Sequence, residues 1–264
     1  MSSMDRRTAL KTAGVLGVGA AAGCTSTASA EDQTTRPFQV PETTVPVLGR
    51  EEVFPVRRIY CMGRNYAAHA IEMGSDPDRE PPFFFQKPTD SVQLVEPGRT
   101  ADHAYPPLTE NYHYEIELVV ALKGGGRNIP VEAALDHVYG YAVGLDMTRR
   151  DLQRAMGDEG KPWEIGKSFD DSAVLGPLHP VEEVGHRLEG TIRLQVNGET
   201  KQDADLEQMI WNVAEQIHHI SQGSELKPGD MIYSGTPENV GPVVPGDLME
   251  GYIQGLEEIT VRVV

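Results

Sequence analysis

Two carboxylates one residue apart, Glu115 and Glu117, stand in the run Tyr114-Glu115-Ile116-Glu117-Leu118-Val119-Val120-Ala121-Leu122. The run predicts a strand, because apolar residues alternate with others and then continue into a buried end. Successive strand side chains point to opposite faces, so Glu115 and Glu117 share one face. Two anions side by side among Ile116, Leu118 and Val119 repel each other and are costly to desolvate. A cation removes both problems. A third carboxylate, Asp146, ends a second apolar strand, Val138-Tyr139-Gly140-Tyr141-Ala142-Val143-Gly144-Leu145. Three oxygen ligands with no Cys or His suit Mg²⁺ or Mn²⁺, which keep positions open for water or substrate. The other reading is an edge strand with both glutamates in water. His69 and Glu72 make a second constellation, three residues apart on one face of a short helix. A carboxylate beside an imidazole orients it and raises its basicity, as a water-activating base requires. The same spacing also suits a plain surface pair.

These residues need elements to hold them. Val56 to Met62 predicts a strand that breaks at Gly63-Arg64-Asn65, with Asn65 capping a helix over Tyr66–Met73. Phe83-Phe84-Phe85-Gln86-Lys87 predicts a buried strand ending at Pro88. Gly124-Gly125-Gly126 predicts a turn; it lacks the Lys-Ser/Thr of a P-loop. Val131–His137 is a short helix, and Thr148 is a possible cap for a helix to Met156. Thr191–Val196 and Glu199–Gln202 flank Asn197-Gly198, a hairpin turn. Asp205 is expected to cap one long helix reaching Ser221, with Leu206, Ile210, Val213, Ile217 and Ile220 as its apolar stripe. Lys227-Pro228-Gly229-Asp230 is a turn, Met231–Ser234 a strand, and Ile253–Val263 closes the sheet.

The bulk properties set bounds. A chain of 264 residues suffices for one large domain or a domain plus a small N-terminal unit, and 27 Gly, 19 Pro and few long helical periods favour a β-rich fold. A net charge of −17 argues against nucleic-acid binding, though local Lys and Arg can still line a pocket for an anion. Residues 1–30 have the form of a targeting segment. Asp5-Arg6-Arg7-Thr8-Ala9-Leu10-Lys11 resembles the twin-arginine export motif, and Thr12–Gly23 is weakly apolar and too short to span a bilayer. Ala28-Ser29-Ala30 suits signal peptidase, while Ala21-Ala22-Gly23-Cys24 resembles a lipoprotein box and would give a lipid anchor at Cys24. An exported, periplasmic protein is therefore expected, with a cytoplasmic one as the alternative. Residues 31–54 are expected to be a linker and N-terminal extension, and 55–264 the catalytic domain. With only Cys24 and Cys61 in the chain, no disulfide framework is expected, and Cys61 is expected to be a small buried hydrophobe.

Several runs together carry a resemblance. Arg64-Asn65-Tyr66-Ala67-Ala68-His69, Phe85-Gln86-Lys87-Pro88, and His113-Tyr114-Glu115-Ile116-Glu117-Leu118 are among them. So are Gly140 through Gln153, Pro162-Trp163, Gly166-Lys167-Ser168-Phe169, and Gly235-Thr236-Pro237 with Gly241. In this order, over about residues 55–264, they resemble the fumarylacetoacetate hydrolase family. The runs Leu135–Gln153 and Gln208-Met209-Ile210-Trp211-Asn212-Val213 look most like members that cut fumarylpyruvate, a gentisate-pathway intermediate, into fumarate and pyruvate.

The resemblance implies an α+β, β-rich fold, a mixed β-roll with short helices, as a homodimer. It implies that Glu115, Glu117 and Asp146 hold a divalent metal, Mg²⁺ or Mn²⁺. His69, oriented by Glu72, would activate the attacking water, and Lys167 would stabilise charge on the attacked carbonyl. Arg64, Tyr66, Arg150, Gln153 and Thr236 would line the pocket and hold a small keto-acid substrate. Two positions depart from the pattern: Ser234 replaces a common Thr, and Glu238-Asn239 adds an anion near the pocket.

The expected activity is hydrolysis of a carbon–carbon bond in 3-acylpyruvates. Oxaloacetate decarboxylation or isomerisation of an unsaturated keto diacid is the alternative on the same scaffold. An exported, non-catalytic keto-acid binding protein is the alternative of another class; it would have lost His69 or Lys167, and both are present. His113 falls on the face of the two glutamates, as a fourth ligand or as a hydrogen-bond partner of the ligands. His218 and His219 are expected to be structural or solvated, Trp163 and Trp211 core anchors, and Asp170-Asp171 a loop or cap.

Overall fold

The Ile116–Leu122 strand has no exposed residue, because both faces of the sheet it belongs to are covered. Ile116, Leu118, Val120 and Leu122 pack on one side with Ile192, Leu194, Ile253 and Val261 of a second sheet. Val119 and Ala121 pack on the other with Val45, Phe54 and Cys61. Burying a side chain of this size contributes about 1.5–3 kcal/mol. A run apolar at every position but Glu117 is therefore what this two-sided position holds.

The computed structural model describes residues 37–74 and 80–264. Pro41–Val264 forms one compact unit. The signal-type segment, with its possible anchor at Cys24, lies outside the described residues. The stretch 31–54, expected as linker and extension, is structured from Thr44: Thr44–Pro46 and Val53–Pro55 pair antiparallel, and Val45 and Phe54 close the smaller core cluster.

The fold is β-rich with short helices. In the large sheet the strands run in the order Phe84–Lys87, Arg58–Met62, Asp230–Tyr233, Ile116–Leu122, Val138–Asp146, Ala173–Leu175, Val92–Leu94. Arg58–Met62 and Asp230–Tyr233 pair in parallel, whereas the two acid-bearing strands pair antiparallel. The second sheet holds Thr191–Val196, Glu199–Asp205, Leu248–Ile253, Ile259–Val263 and Thr100–His103. The expected closing strand at 253–263 is thus two strands with a turn between them. A small third sheet joins Tyr112–Tyr114 to Thr148–Arg149 and Gly241–Val243. No helix among the described residues is long and apolar enough to cross a membrane.

Three expectations for helix starts are corrected. Asn65 does not cap the Ala67–Glu72 helix; Tyr66 stands at the cap and gives no side-chain bond. Asn65 is instead a staple: its Nδ2 donates to Trp211 O (2.9 Å) and Ser234 O (2.7 Å), and its Oδ1 accepts from Trp211 N (2.8 Å). Thr148 does not cap the Arg150–Asp158 helix; its hydroxyl donates to Asp146 O at 3.0 Å. Asp205 caps only the single turn Leu206–Gln208, and Asn212 restarts the chain as the Val213–Gly223 helix, with Glu215 completing its capping box. The break is where Ile210 N–H donates to Asn65 O (2.7 Å), which diverts the backbone from helical bonding.

Candidate active site

The strand expected over Tyr114–Leu122 is broken at Glu115. Tyr112–Tyr114 pairs in the small sheet and Ile116–Leu122 in the large one, so Glu115 sits at the joint between them. Its carbonyl accepts from Asp146 N–H at 2.8 Å, which brings the two acid-bearing segments together. Glu117 lies opposite Gly144, where an added Cβ would come within 2.5 Å of Val119 Cγ2 and 2.9 Å of Tyr233 Cε1. Only glycine fits at that crossing. Oxygens of Glu115, Glu117 and Asp146 lie within 4.8 Å of one another, and all three residues are buried.

The chain supplies its own cations to this cluster. Lys167 Nζ donates to Glu115 Oε2 (2.6 Å), Asp146 Oδ2 (2.7 Å) and Thr148 Oγ1 (2.7 Å). Lys87 Nζ lies 2.8 Å from Asp146 Oδ1, close but not aligned, so that buried oxygen accepts no hydrogen bond. Lys87 also donates to the carbonyls of Met147 and Lys167. The Arg150 guanidinium, fully buried, pairs with Glu115 Oε1 and donates to Gln153 Oε1 at 2.6 Å. Burial works to raise the Glu115 carboxyl, but Lys167 and Arg150 outweigh it and hold the group below the ordinary range. Burial, then the charges of Asp146 and Glu115, push Glu117 well above that range, and the Gly235 N–H donated to it at 2.8 Å only partly opposes them. Burial works to lower the Lys167 ammonium, while Asp146 and Glu115 reverse the direction and hold the proton on. One carboxylate held ionised and another pushed toward neutrality describe a cluster short of positive charge. That shortfall, and the free lone pairs on Asp146 Oδ1, fit a hard divalent cation.

His69 Nδ1 and Glu72 Oε2 lie 3.0 Å apart, and Asn239 N–H donates to the same oxygen at 3.1 Å. Burial tends to raise Glu72, but His69 and that N–H bring it below its ordinary range, so it is the anion that accepts from Nδ1–H. Nε2 is then the proton-accepting nitrogen. His69, the three acids, Lys167, Arg150, Gln153, Thr236 and Arg64 line one narrow cleft.

Tyr66, expected in the pocket, does not line it. It bridges to Met209 and belongs to the larger core cluster, with a buried hydroxyl that has no hydrogen-bond partner. Its place at the helix cap turns it inward. His113 is a hydrogen-bond partner of the site and not part of the acid cluster: Arg150 Nε–H donates to its Nδ1 at 3.4 Å, and its Nε2–H to Asn111 Oδ1 at 2.8 Å. Burial, aided by Arg150, pushes the His113 imidazole down to about 4, so the ring is neutral. Trp163 packs edge-on to Phe83 and Phe85, and it also lines the cleft. Thr236 Oγ1 accepts from Gln202 Nε2 at 2.9 Å.

Two contributors escaped sequence reasoning. Lys87 was visible only as a lysine closing an apolar strand, and Thr148 passed for a cap. A lysine closing the apolar run Phe83-Phe84-Phe85-Gln86-Lys87 was the available signal for the first.

Residues 58–264 match the family model described as fumarylacetoacetate (FAA) hydrolase C-terminal. The chain belongs to the fumarylacetoacetate hydrolase family. A fumarylpyruvate hydrolase of Ralstonia sp. is 46% identical over 193 residues, covering 72% of this chain and 98% of that protein. The crystal structure of a Pseudomonas aeruginosa fumarylpyruvate hydrolase, in complex with Mn²⁺ and pyruvate, is 56% identical. It superposes with a TM-score of 0.86, covering 87% of this chain and 99% of that one. A mitochondrial oxaloacetate tautomerase of Arabidopsis thaliana is 39% identical over 202 residues, covering 76% of this chain and 88% of that protein.

Proposed function

We propose that this family member is a metal-dependent hydrolase of 3-acylpyruvates, with fumarylpyruvate as substrate and fumarate and pyruvate as products. The observation that carries the reading is the His69–Glu72 pair sharing a cleft with the Glu115, Glu117 and Asp146 cluster. The Ralstonia and Pseudomonas relatives support it.

Glu115, Glu117 and Asp146 would hold the divalent metal, Mg²⁺ or Mn²⁺. When bound, it polarises adjacent keto-acid oxygens and takes up negative charge developing on them. His69 Nε2 takes a proton from water, with Glu72 fixing the tautomer and stabilising the imidazolium. The hydroxide adds to the distal carbonyl carbon. The bond between that carbon and the methylene then breaks, releasing the acyl group as a carboxylic acid that gives its proton to solvent. The electron pair goes to the pyruvate half as its enolate, and the proton held on Nε2 returns to it. Arg150 and Gln153, hydrogen-bonded to each other, offer donors to the substrate carboxylate. Lys167 uses all three of its donors on Glu115, Asp146 and Thr148. To stabilise charge on the attacked carbonyl it must release one of them. Removal of an oxyanion donor of this kind costs on the order of 10²–10³ in rate.

A substrate panel tests the reading: fumarylpyruvate, maleylpyruvate, acetylpyruvate, fumarylacetoacetate and oxaloacetate, followed by enol absorbance with Mn²⁺ or Mg²⁺ and with excess chelator. Cleavage of fumarylpyruvate that chelator abolishes is the expected result. Failure to cleave any acylpyruvate, or full turnover in chelator, overturns it. The oxaloacetate tautomerase relative favours a second reading, proton transfer or decarboxylation on a chelated 2-keto acid, which needs no attacking water. Turnover of oxaloacetate alone would select it.

Three finer assignments belong to the same proposal. A fumarylpyruvate substrate supports a role in gentisate catabolism. The resemblance of the sequence to its family supports a homodimer, which light scattering would read. Arg6-Arg7 and Ala28-Ser29-Ala30 support export through a twin-arginine signal, with acylated Cys24 as the variant. An intact leader on cytoplasmic protein, found by N-terminal mass spectrometry, refutes export.

A further inference from the structure

The loop from Gly235 to Asn239 runs along the cleft and meets its chemistry at three places. Gly235 N–H donates to Glu117 at 2.8 Å, Thr236 lines the cleft, and Asn239 N–H donates to Glu72 Oε2 at 3.1 Å. The loop lies outside every strand and helix, so its position has to be set from elsewhere. Its Gly235 end is fixed by the preceding residue, whose carbonyl accepts from Asn65 Nδ2 at 2.7 Å. The stretch from Thr236 onward is gripped by Gln202, on the edge strand Glu199–Asp205 of the second sheet. Leu194 pairs with Gln202 and Gln195 with Thr200, so Lys201 is one residue too many, a bulge immediately before Gln202. Gln202 faces inward opposite the buried Leu194, where packing alone would select an apolar side chain. Its amide is fully buried and used at both ends. Oε1 accepts at 3.1 Å from the N–H of Ile116, the residue after Glu115. Nε2 donates to Thr236 Oγ1 (2.9 Å) and Pro237 O (2.8 Å), with Glu238 O at 3.3 Å. A backbone N–H on one side and carbonyls on the other leave one orientation for the amide.

We propose that Gln202 is a positioning residue for the reaction: it locks the 236–239 loop to the strand joint after Glu115, so that the acid cluster and the His69–Glu72 pair keep one fixed placement relative to each other. The proposal rests on the hydrolase reading, in which Glu72 orients His69. Gln202 touches neither and acts through the loop. Asn239 carries the N–H that Glu72 accepts, in a left-handed backbone, φ +66°, and its carbonyl accepts from the Tyr114 hydroxyl at 3.2 Å. Without the bonds from Gln202 to Thr236 and Pro237, that N–H is free to drift from Glu72, and the imidazole loses a fixed partner. Gln202 also sets the polarity of Thr236. The Thr236 oxygen accepts from Nε2, so its own hydrogen, with no acceptor among the described residues, is left to donate into the cleft.

Two variants of the Mn²⁺-loaded full chain test it. Gln202→Met keeps the volume and removes all of these bonds. Gln202→Glu keeps the acceptor for Ile116 N–H and offers at most one donor to the loop. Amide hydrogen exchange is measured first. Both variants should raise exchange at Asn239 about tenfold, the scale of one lost hydrogen bond, while the Thr191–Val196 strand stays within about threefold of the parent. Exchange at Ile116 should rise in Gln202→Met alone. Turnover of fumarylpyruvate at saturating Mn²⁺ is measured second. In Gln202→Met, kcat should fall by roughly 10–100-fold, the range for a residue that orients site groups. Mn²⁺ affinity should stay within about threefold, because Lys167, Arg150 and the Asp146 N–H hold Glu115 independently. Coupling is measured third. In a Glu72→Ala background Gln202→Met should cost no more than about threefold further, whereas a packing role gives the same loss in both backgrounds. Unchanged exchange at Asn239, a parent-like kcat, or equal losses in both backgrounds overturns the proposal. If Gln202→Met does not fold, Gln202→Glu, which keeps Ile116 N–H satisfied, carries the Asn239 exchange, turnover and coupling comparisons. A parent that cleaves no acylpyruvate refutes the hydrolase reading alone, and the exchange data then still decide whether Gln202 holds the loop.

Discussion

Lowering the pH from 7.5 to 5.0 is expected to destabilise the protein through His103, a buried imidazole at the end of the Thr100–His103 strand. Gln93 Nε2 donates to Asp102 O at 2.7 Å, which turns Gln93 Oε1 toward His103 as an acceptor. His103 therefore carries its proton on Nδ1, and Nε2 accepts from the Tyr112 hydroxyl at 2.5 Å. The neutral ring is satisfied on both nitrogens, and a second proton would face Tyr112 with no anion near. Burial pushes the imidazole from 6.5 down to about 4. Because the folded value lies below the unfolded one, the unfolded chain takes up the proton first. Stability is unaffected above pH 6.5, falls as pH drops through the window from 6.5 to about 4, and levels off below it. At 1.36 kcal/mol per pH unit the full effect is about 3 kcal/mol, of which about 2 kcal/mol has developed at pH 5.0. His113 and His179, also lowered by burial, and the carboxylates add their own slopes, so the contribution is read as a difference. Urea unfolding of the parent and of His103→Gln at pH 7.5 and 5.0 gives it. The parent should lose about 2 kcal/mol more than the variant over that interval. Equal losses, or an imidazole titrating near 6.5 in the folded protein by NMR, refute the reasoning. The effect reaches the site, because Tyr112 opens the strand that delivers Glu115.

Glu117→Ala should abolish metal-dependent turnover and the thermal stabilisation given by Mn²⁺; saturating metal at 100 times its Kd is worth about 2.7 kcal/mol in the parent, readable in a melting curve with and without chelator. His69→Ala should lower fumarylpyruvate cleavage by roughly 10²–10⁴-fold while Mn²⁺ binding, followed by calorimetry, stays at the parent value. Asn65→Ala removes three hydrogen bonds, one buried and two partly buried, and should cost on the order of 3 kcal/mol in urea unfolding, with Asn65→Asp recovering little because it lacks the two donated bonds.

The chemistry was more legible in the sequence than its mounting. Glu115, Glu117 and Asp146 stood out because charged residues in apolar strands violate the local pattern, and the spacing of His69 and Glu72 fixed their helix face. The break at Glu115 was invisible, since Tyr112–Tyr114 and Ile116–Leu122 have the same strand-like composition and are separated only by which sheet each joins. Asn65 and Thr148 misled for one reason. Both are good helix-capping types, yet their side chains serve partners far away in sequence, Trp211 and Ser234 for one and Lys167 for the other. The stripe from Leu206 to Ile220 followed a helical period through a break that the backbone and side chain of Asn65 impose at Ile210 and Trp211. Tyr66 shows the opposite limit, a polar aromatic in a chemically rich run whose position at a cap faces it into the core.

The internal counter-ions set an order of events. Lys87, Lys167 and Arg150 pair with Asp146 and Glu115, while Glu117 accepts only from the Gly235 N–H, so two of the three buried acids are matched from within the chain. Small metallo-domains that lack such cations stay unfolded until metal arrives, and chelators denature them. The chain's own cations predict that this fold survives removal of the metal, which a melting curve in excess chelator would read. A scaffold built this way is expected to be emptied and refilled without unfolding, so that Mn²⁺ and Mg²⁺ can be exchanged on one preparation of the protein.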